Sequence, residues 1–456
     1  MRSHPDMTRR ELLTLLGGGA VALPLGGYVS STGSALAGDP PGEQAPPAAE
    51  IELVLWDKIL GAWFPRSLDT PGGGFRENFA EDWSPLPTES KFIVFQARMT
   101  WVPAVVARKY PQHRERFLSY ARHGLKFLSE TMWDATHGGF IELVDAAGRP
   151  DPRWRPWKQM YGQAFGIFAA AGAYEATGDR RALDLAIDGF RWIDRCAHDA
   201  EQGGYFELLA ADGRPVALAP PEQRADRRFP VIGRVGQKSM NAHIHVLEAL
   251  MALRQVWDDP LLHQRLEEVF LIVRDKIVRP GGHLAMFSGR DFQPLDERSS
   301  FGHELETAYL LMEAAELLGR DDDEQTRRVA RELVDHSLRW GWDQTHGGFF
   351  DEGPPQGRPT RRGKVWWVEA EAMNGLLTVD RLVGREEPRY SKAFANNWAF
   401  FRDRVVDRRH GGCFEVVDEA GKPLPGRRAK ATRWKTAYHV TRALLFAIDT
   451  LLGQVS

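Results

Sequence analysis

Apolar and polar positions along the chain fall into two recurring patterns. Residues 182–195 and 326–339 are amphipathic at helical spacing, with charges on one face, as expected of an outer helical layer. Residues 161–173, 241–256 and 300–318 are apolar nearly all round and rich in small side chains, which predicts buried helices. Gly-Gly pairs separate the two kinds of stretch. They fall at Gly73-Gly74, Gly138-Gly139, Gly203-Gly204, Gly281-Gly282, Gly347-Gly348 and Gly411-Gly412, at steps of 65, 65, 78, 66 and 64 residues. Six copies at a near-constant step predict a repeat architecture. After three of the pairs, at Gly138, Gly203 and Gly411, an aromatic or β-branched run leads to Gly148-Arg149-Pro150, Gly213-Arg214-Pro215 or Gly421-Lys422-Pro423. Such runs read as hairpins.

Each unit is therefore an outer helix, a hairpin and an inner helix. Six units close into an all-α (α/α)6 barrel with short β-hairpins at one mouth; an open solenoid would need polar capping repeats, and neither end shows one. Every hairpin feeds the start of an inner helix, so six helix starts gather at one mouth. Polar groups there converge on one cavity.

Length and charge narrow the function. The 456 residues carry 59 basic and 62 acidic side chains, and 43% are hydrophobic. Composition excludes a disordered chain and a polytopic membrane protein. The near-neutral balance argues against nucleic acid as a partner. Two cysteines, Cys196 and Cys413, provide neither a disulfide framework nor a cysteine zinc cluster; whether they pair is left open. At the start, Thr8-Arg9-Arg10-Glu11-Leu12-Leu13, an apolar run over 12–25 and Ala35-Leu36-Ala37 predict a twin-arginine export signal over 1–37. The run is too short to span a membrane. A linker over 38–49 and a single catalytic domain over 50–456 complete the organisation, with a periplasmic or extracellular destination and no membrane association once the signal is gone.

The predicted inner-helix starts carry the chemistry. They hold Lys91 and Arg98; Lys158 and Tyr161; Lys238, Asn241, His243, His245 and Glu248; His303 and Glu306; Lys364, Trp366, Trp367, Glu369 and Glu371; Trp434, Lys435, Tyr438 and His439. Burying such groups without a use is costly. A lone core histidine is usually just bonded to a carbonyl, but four of the 14 at equivalent ring positions favour a site. His245 with Glu248 and His303 with Glu306 are spaced i, i+3, which puts ring and carboxylate on one face; the carboxylate can hold one ring nitrogen and raise the basicity of the other. No His-Glu-x-x-His pattern is present, and Arg98 with the lysines disfavours a metal. One of Trp366 and Trp367 is expected to stack on sugar.

The ordered set Lys238-x-x-Asn241-x-His243-x-His245-x-x-Glu248, Gly302-His303-x-x-Glu306, Lys364-x-Trp366-Trp367-x-x-Ala370-Glu371 and Trp434-Lys435-x-x-Tyr438-His439 resembles the N-acylglucosamine 2-epimerase family. Within it, the closest likeness is to the cellobiose 2-epimerase branch. The resemblance covers about all of the chain after the signal. It implies an (α/α)6 barrel, a cofactor-independent isomerase, and a catalytic set of His303, His439, His245, Arg98, Glu306 and Glu248. Tyr161, Asn241, Trp367 and Trp434 are then sugar contacts, with Glu371 and His243 added to them. Val440-Thr441, Val368-Glu369 and an insertion over 210–235 depart from the pattern and bear on the substrate. A monomer or weak dimer is expected.

Epimerisation at C2 needs an open-chain aldose, whose C2 proton lies α to a carbonyl. Two bases on opposite faces let the proton leave one side and return to the other. His303 and His439 are the candidates, with Glu306 orienting His303. Arg98 would stabilise the enediolate oxygen, and His245 with Glu248 would open the ring. A reducing mono- or disaccharide is the expected partner. An aldose–ketose isomerase shares the enediolate. A glycoside hydrolase or lyase would need two carboxylates flanking the bond, a role open to Glu248, Glu306 and Glu371, and a non-catalytic sugar-binding ring would have no use for facing histidines.

Overall fold

The computed structural model describes residues 45–87, 90–217 and 237–454. The export-signal reading, the linker up to residue 44 and most of the insertion, 218–235, lie outside the described residues. The first helix begins at Ala48, two residues inside the span expected to be linker.

Numbered in chain order, the odd helices are outer: α1 (Ala48–Val54, prolonged through Leu55–Leu60), α3 (Arg114–Phe127), α5 (Arg180–Cys196), α7 (Pro260–Ile272), α9 (Glu324–Trp340) and α11 (Arg389–Phe400). The even helices are inner: α2 (Ile93–Lys109), α4 (Met160–Thr177), α6 (Met240–Arg254), α8 (Phe301–Leu317), α10 (Trp366–Val383) and α12 (Tyr438–Leu451). Each inner helix packs on the next inner one, and α12 returns to α2 and α1. The ring is closed, as the repeat predicts. The inner helices are buried on almost every face, whereas α5 and α9 bury one stripe. No described helix is long and apolar enough to cross a membrane.

Short strands tie neighbouring units together. Ser90–Phe92 pairs antiparallel with Leu143–Asp145, Trp157–Gln159 with Leu208–Ala210, and Lys364–Val365 with Val416–Val417. Each strand that leads into an inner helix thus pairs with the strand that follows the next Gly-Gly turn. The turns themselves close by single bridges such as Trp133↔Phe140 and Trp342↔Phe349. Both glycines of a pair have positive φ, 74° and 72° at Gly138 and Gly139, a region glycine enters without cost. A Cβ at Gly139 would also meet the Trp192 ring at 2.9 Å.

The lysines at the helix starts serve these turns and do not face the cavity. Lys91, Lys158, Lys238 and Lys364 reach Asp69, Asp134, Asp199 and Asp343 at 2.8, 2.7, 3.0 and 2.9 Å, and Lys430 pairs with Asp407. Lys238 and Lys364 also donate to Gly-Gly carbonyls, and Lys435 to the carbonyls of Cys413 and Ala429. Each buried ammonium is hydrogen-bonded, and all but Lys435 are paired with a carboxylate, as burial of a charge requires; burial lowers the Lys435 pKa to about 8. They therefore have no bearing on whether the cavity accepts a cation.

The fourth residue of an inner helix braces the same turns. Gln96 and Gln163 each exchange two hydrogen bonds with the backbone of Phe75 and Phe140. His243 holds the equivalent place: its Nε2 accepts the Tyr205 N–H at 3.1 Å and its Nδ1 donates to the Ser239 carbonyl at 2.7 Å. Both nitrogens are consumed and the ring is fully buried. His243 is a structural brace, not the sugar contact expected of it. Cys196 and Cys413 are both free thiols.

Candidate active site

A second set of inner-helix positions points at the barrel axis. Asn241, His245 and Glu248 on α6, Trp367 and Glu371 on α10, and Tyr161 and Phe165 on α4 follow i, i+4, i+7 spacing, which is one helical stripe. Arg98, Tyr161, His245, His303, Glu306, Trp366, Trp367, Trp434 and His439 line one pocket at the starts of the inner helices. Six helices thus bring together residues spread over 342 positions of sequence (98 to 439).

The indole of Trp367 is close to two histidines, 4.7 Å from the His303 ring and 5.6 Å from the His439 ring. Each ring is held through Nδ1. His439 Nδ1 meets Glu371 Oε1 at 2.6 Å, and His303 Nδ1 meets Ser300 Oγ at 2.7 Å. Among the described residues, Nε2 of neither ring has a hydrogen-bond partner. Burial drives the His303 pKa well below the usual 6.5, helped by the neighbouring His245 and His439 rings and by Arg98. Burial, with Arg98 and Arg442, does the same for His439. Both rings are therefore neutral near pH 7 and can accept a proton. His245 Nδ1 is 2.9 Å from Glu248 Oε2, as its i, i+3 spacing predicts.

Two expectations fail here. Glu306 does not orient His303; it takes the guanidinium of Arg442 and lies 4.0 Å from His439 Nδ1. Glu304 and Glu306 project on different sides of α8, and Ser300, just before the helix, is the group within reach of His303. Glu371 is not a sugar contact: its carboxylate is turned onto His439, Arg442 and Asn374. It does for His439 what Glu306 was expected to do for His303.

Beneath the histidines lies a charge cluster that the sequence reading missed. Arg442 sits among Glu248, Glu306 and Glu371, with the Tyr438 hydroxyl also bonded to it at 2.7 Å. One cation serves three carboxylates, and their pKa values are pushed in different directions. Burial raises the Glu306 pKa, and the Glu371 charge adds to it; burial likewise raises Glu371. Glu248 is buried too, yet Arg442 and His245 outweigh that and hold it near 2. Glu306, Glu371 and His439 bring one ligand atom each within 4.8 Å, spacing suited to a metal, but Arg442 already occupies the carboxylates. Arg442 had a legible signal: it is a charged residue three positions after His439 in an apolar helix.

Arg98 lies in an aromatic box. Its guanidinium is 4.3 Å from the Phe165 ring and 5.0 Å from Tyr438, and it donates to the Tyr161 hydroxyl at 2.8 Å. Burial pushes that hydroxyl up to about 12, so it stays protonated. Asn241 stands beside Tyr161. Trp434 is backed by Phe92 at 4.7 Å. Both Trp366 and Trp367 line the pocket.

A family model described as N-acylglucosamine 2-epimerase matches residues 73–184 and 232–443. The cellobiose 2-epimerase of Dictyoglomus turgidum is 28% identical over 415 residues, covering 88% of this chain and 98% of that one. The solved structure of the cellobiose 2-epimerase from Spirochaeta thermophila superposes with a TM-score of 0.78 at 33% identity, over 89% and 96% of the two chains. The D-mannose isomerase of Marinomonas mediterranea is more distant, 21% identical over 87% of this chain and 95% of its own.

Proposed function

The chain belongs to the N-acylglucosamine 2-epimerase family, and from that premise we propose that it is an isomerase inverting C2 of the reducing-end sugar of a β-linked disaccharide. One observation carries the reading. Two neutral histidines on different inner helices, each with Nε2 unpartnered among the described residues, share one indole and one pocket with a buried arginine.

His245, held by Glu248, moves the proton between the ring oxygen and the anomeric hydroxyl, and the sugar opens to the aldehyde. One of His303 and His439 takes the C2 proton through Nε2. The electron pair left at C2 moves into the carbonyl as an enediolate, whose oxygen Arg98 and the Tyr161 hydroxyl stabilise. The other histidine, first protonated at Nε2 from solvent, gives its proton to the opposite face of C2, and the first releases the proton it took to solvent. Glu371 and Ser300 keep the two rings in register. Similarity to cellobiose 2-epimerases over nearly the whole chain supports the disaccharide, as does the aromatic lining from Trp366, Trp367 and Trp434.

Incubation with cellobiose, mannobiose, mannose, glucose and N-acetylglucosamine, followed by chromatography, tests it. Cellobiose should yield its C2 epimer at unchanged mass. A ketose product would make the enzyme an aldose–ketose isomerase, and turnover confined to free monosaccharides would remove the disaccharide. We also propose that residues 1–37 direct export by the twin-arginine route. A reporter fused behind them should reach the periplasm, and Arg9→Lys with Arg10→Lys should stop it.

A further inference from the structure

The barrel has a second opening. At the far ends of the inner helices lies a cavity of about 1060 Å³, to which all six contribute side chains. Its floor is the other side of the Arg442–Glu248 pair, so the cluster beneath the histidines separates two chambers. The mechanism above uses only the first.

The charges of the second chamber are mostly matched. Glu175 pairs with Arg108, Asp449 with Lys109 and Glu248 with Arg442. Glu316 and Arg381 each have a partner as well. Among the described residues no ion pair engages Asp321, in the turn after α8, or Glu313, on α8 itself. The Glu313 carboxylate takes the Tyr309 hydroxyl at 2.6 Å. It is exposed to the cavity. Around it the wall is aromatic and apolar: the Phe446 ring is edge-on to Tyr309 at 4.9 Å, and Met312 lies one residue away. Trp101, stacked on Phe168 at 5.2 Å, lines the cavity from α2. The inner helices also end here, and their terminal carbonyls lend the rim a negative potential.

Burial raises the Glu313 pKa to about 7, with Arg442 nearby drawing it back down. Above that pH the chamber holds an unmatched carboxylate among aromatic faces, which under that potential selects a positive charge on an apolar body. We propose that this chamber is a binding site for a small organic cation, an aryl- or alkylammonium ion, with its charge on Glu313 and its body against Phe446. An anion of the same shape would be repelled by Glu313 and the helix ends. A neutral analogue would keep only the apolar contact. The site is independent of the sugar chemistry.

Three probes of one shape decide it: phenethylammonium, 2-phenylethanol and 3-phenylpropionate, titrated into the full chain without sugar at about pH 8.5, where Glu313 is ionised and the amine still protonated, and followed by calorimetry and tryptophan fluorescence. The ammonium ion should bind saturably, the alcohol about tenfold more weakly or worse, and the carboxylate not at all. Glu313→Gln keeps an acceptor for Tyr309 and should erase the preference for the cation while cellobiose turnover is unchanged. Phe446→Ala, which removes the ring against which the body rests, should weaken binding of the ammonium ion and the alcohol alike. Equal binding of cation and alcohol by the wild type, cation binding untouched by Glu313→Gln, or no saturable binding at millimolar concentration each overturns the proposal. Because no sugar is present, these outcomes stand apart from any failure of the epimerase reading.

Discussion

His243 and His245 are two residues apart on the same helix, and both are buried. They point about 200° apart around it. His243 faces outward to a Gly-Gly turn and spends both nitrogens on backbone groups. His245 faces the axis, spends one nitrogen on Glu248 and keeps the other. Glu369 and Glu371 repeat the contrast on α10. Glu369 accepts the Phe349 N–H, and its pKa, lifted mainly by burial, stands at about 8; Glu371 accepts from His439 and Arg442. On these two helices a bracing face and an axial face thus carry the same residue types. What separates them is spare hydrogen-bonding capacity. A polar group whose capacity is consumed by backbone is architecture, and one with a free atom toward a cavity is available for chemistry.

Substitutions on the two faces should therefore fail in different ways. The largest effects belong to the axial face. His303→Ala and His439→Ala should each lower epimerisation of cellobiose by about 100- to 10,000-fold with little change in thermal midpoint. In deuterated water the two variants should exchange C2 hydrogen unequally depending on which epimer is supplied, because each retains the base of one face. If both keep near wild-type turnover, these residues are not the bases.

Arg442→Met comes next and crosses the boundary between the faces. It leaves Glu248, Glu306 and Glu371 facing one another without a cation. Urea unfolding should show a loss of about 3–5 kcal/mol, together with loss of activity. A fully active variant of wild-type stability would mean that the carboxylates are neutral without Arg442.

On the bracing face, Lys364→Met strips Asp343 and two loop carbonyls of their donor. A loss of about 1.5–3 kcal/mol in unfolding free energy is expected, with kcat for the remaining folded enzyme near wild type. A selective fall in kcat with no change in stability would place Lys364 in the site after all.

The smallest effect is also the sharpest. His243→Gln installs the side chain that braces the equivalent turns at Gln96 and Gln163, so turnover at pH 7 should hold within about twofold. The variant should differ from wild type in acid. Burial above all holds His243 near a pKa of 4 in the folded protein, against 6.5 when exposed. The folded state then binds fewer protons than the unfolded one, so stability is whole above pH 6.5 and falls as pH drops toward 4, by up to about 1.4 kcal/mol per pH unit. Urea midpoints measured across that window should fall less steeply for His243→Gln. Identical slopes would mean that His243 is not a neutral buried brace.

The ring was legible in the chain because its cause is local and periodic. Gly-Gly pairs at a near-constant step mark where φ must be positive, and the apolar or amphipathic character of each stretch assigns it to the inner or outer layer. Closure followed from six such units with no polar cap. The roster of the site was legible for a related reason: His245, His303, His439 and Arg98 are polar groups in helices otherwise too apolar to hold them, and the resemblance to a known family rested on those same residues. Partnerships within the site were another matter. Spacing along one helix names what shares a face, and it was right for His245 with Glu248, whose partner is on the same helix. It was wrong for His303 and silent on Arg442, whose carboxylates come from α6, α8 and α10. His243 lay beyond it as well, because which way a buried histidine faces depends on the turn packed against its helix. Contacts inside one helix follow from a spacing of three or four residues. Contacts across the barrel follow from how six helices are rotated about their own axes, and that rotation is set by packing of the whole ring.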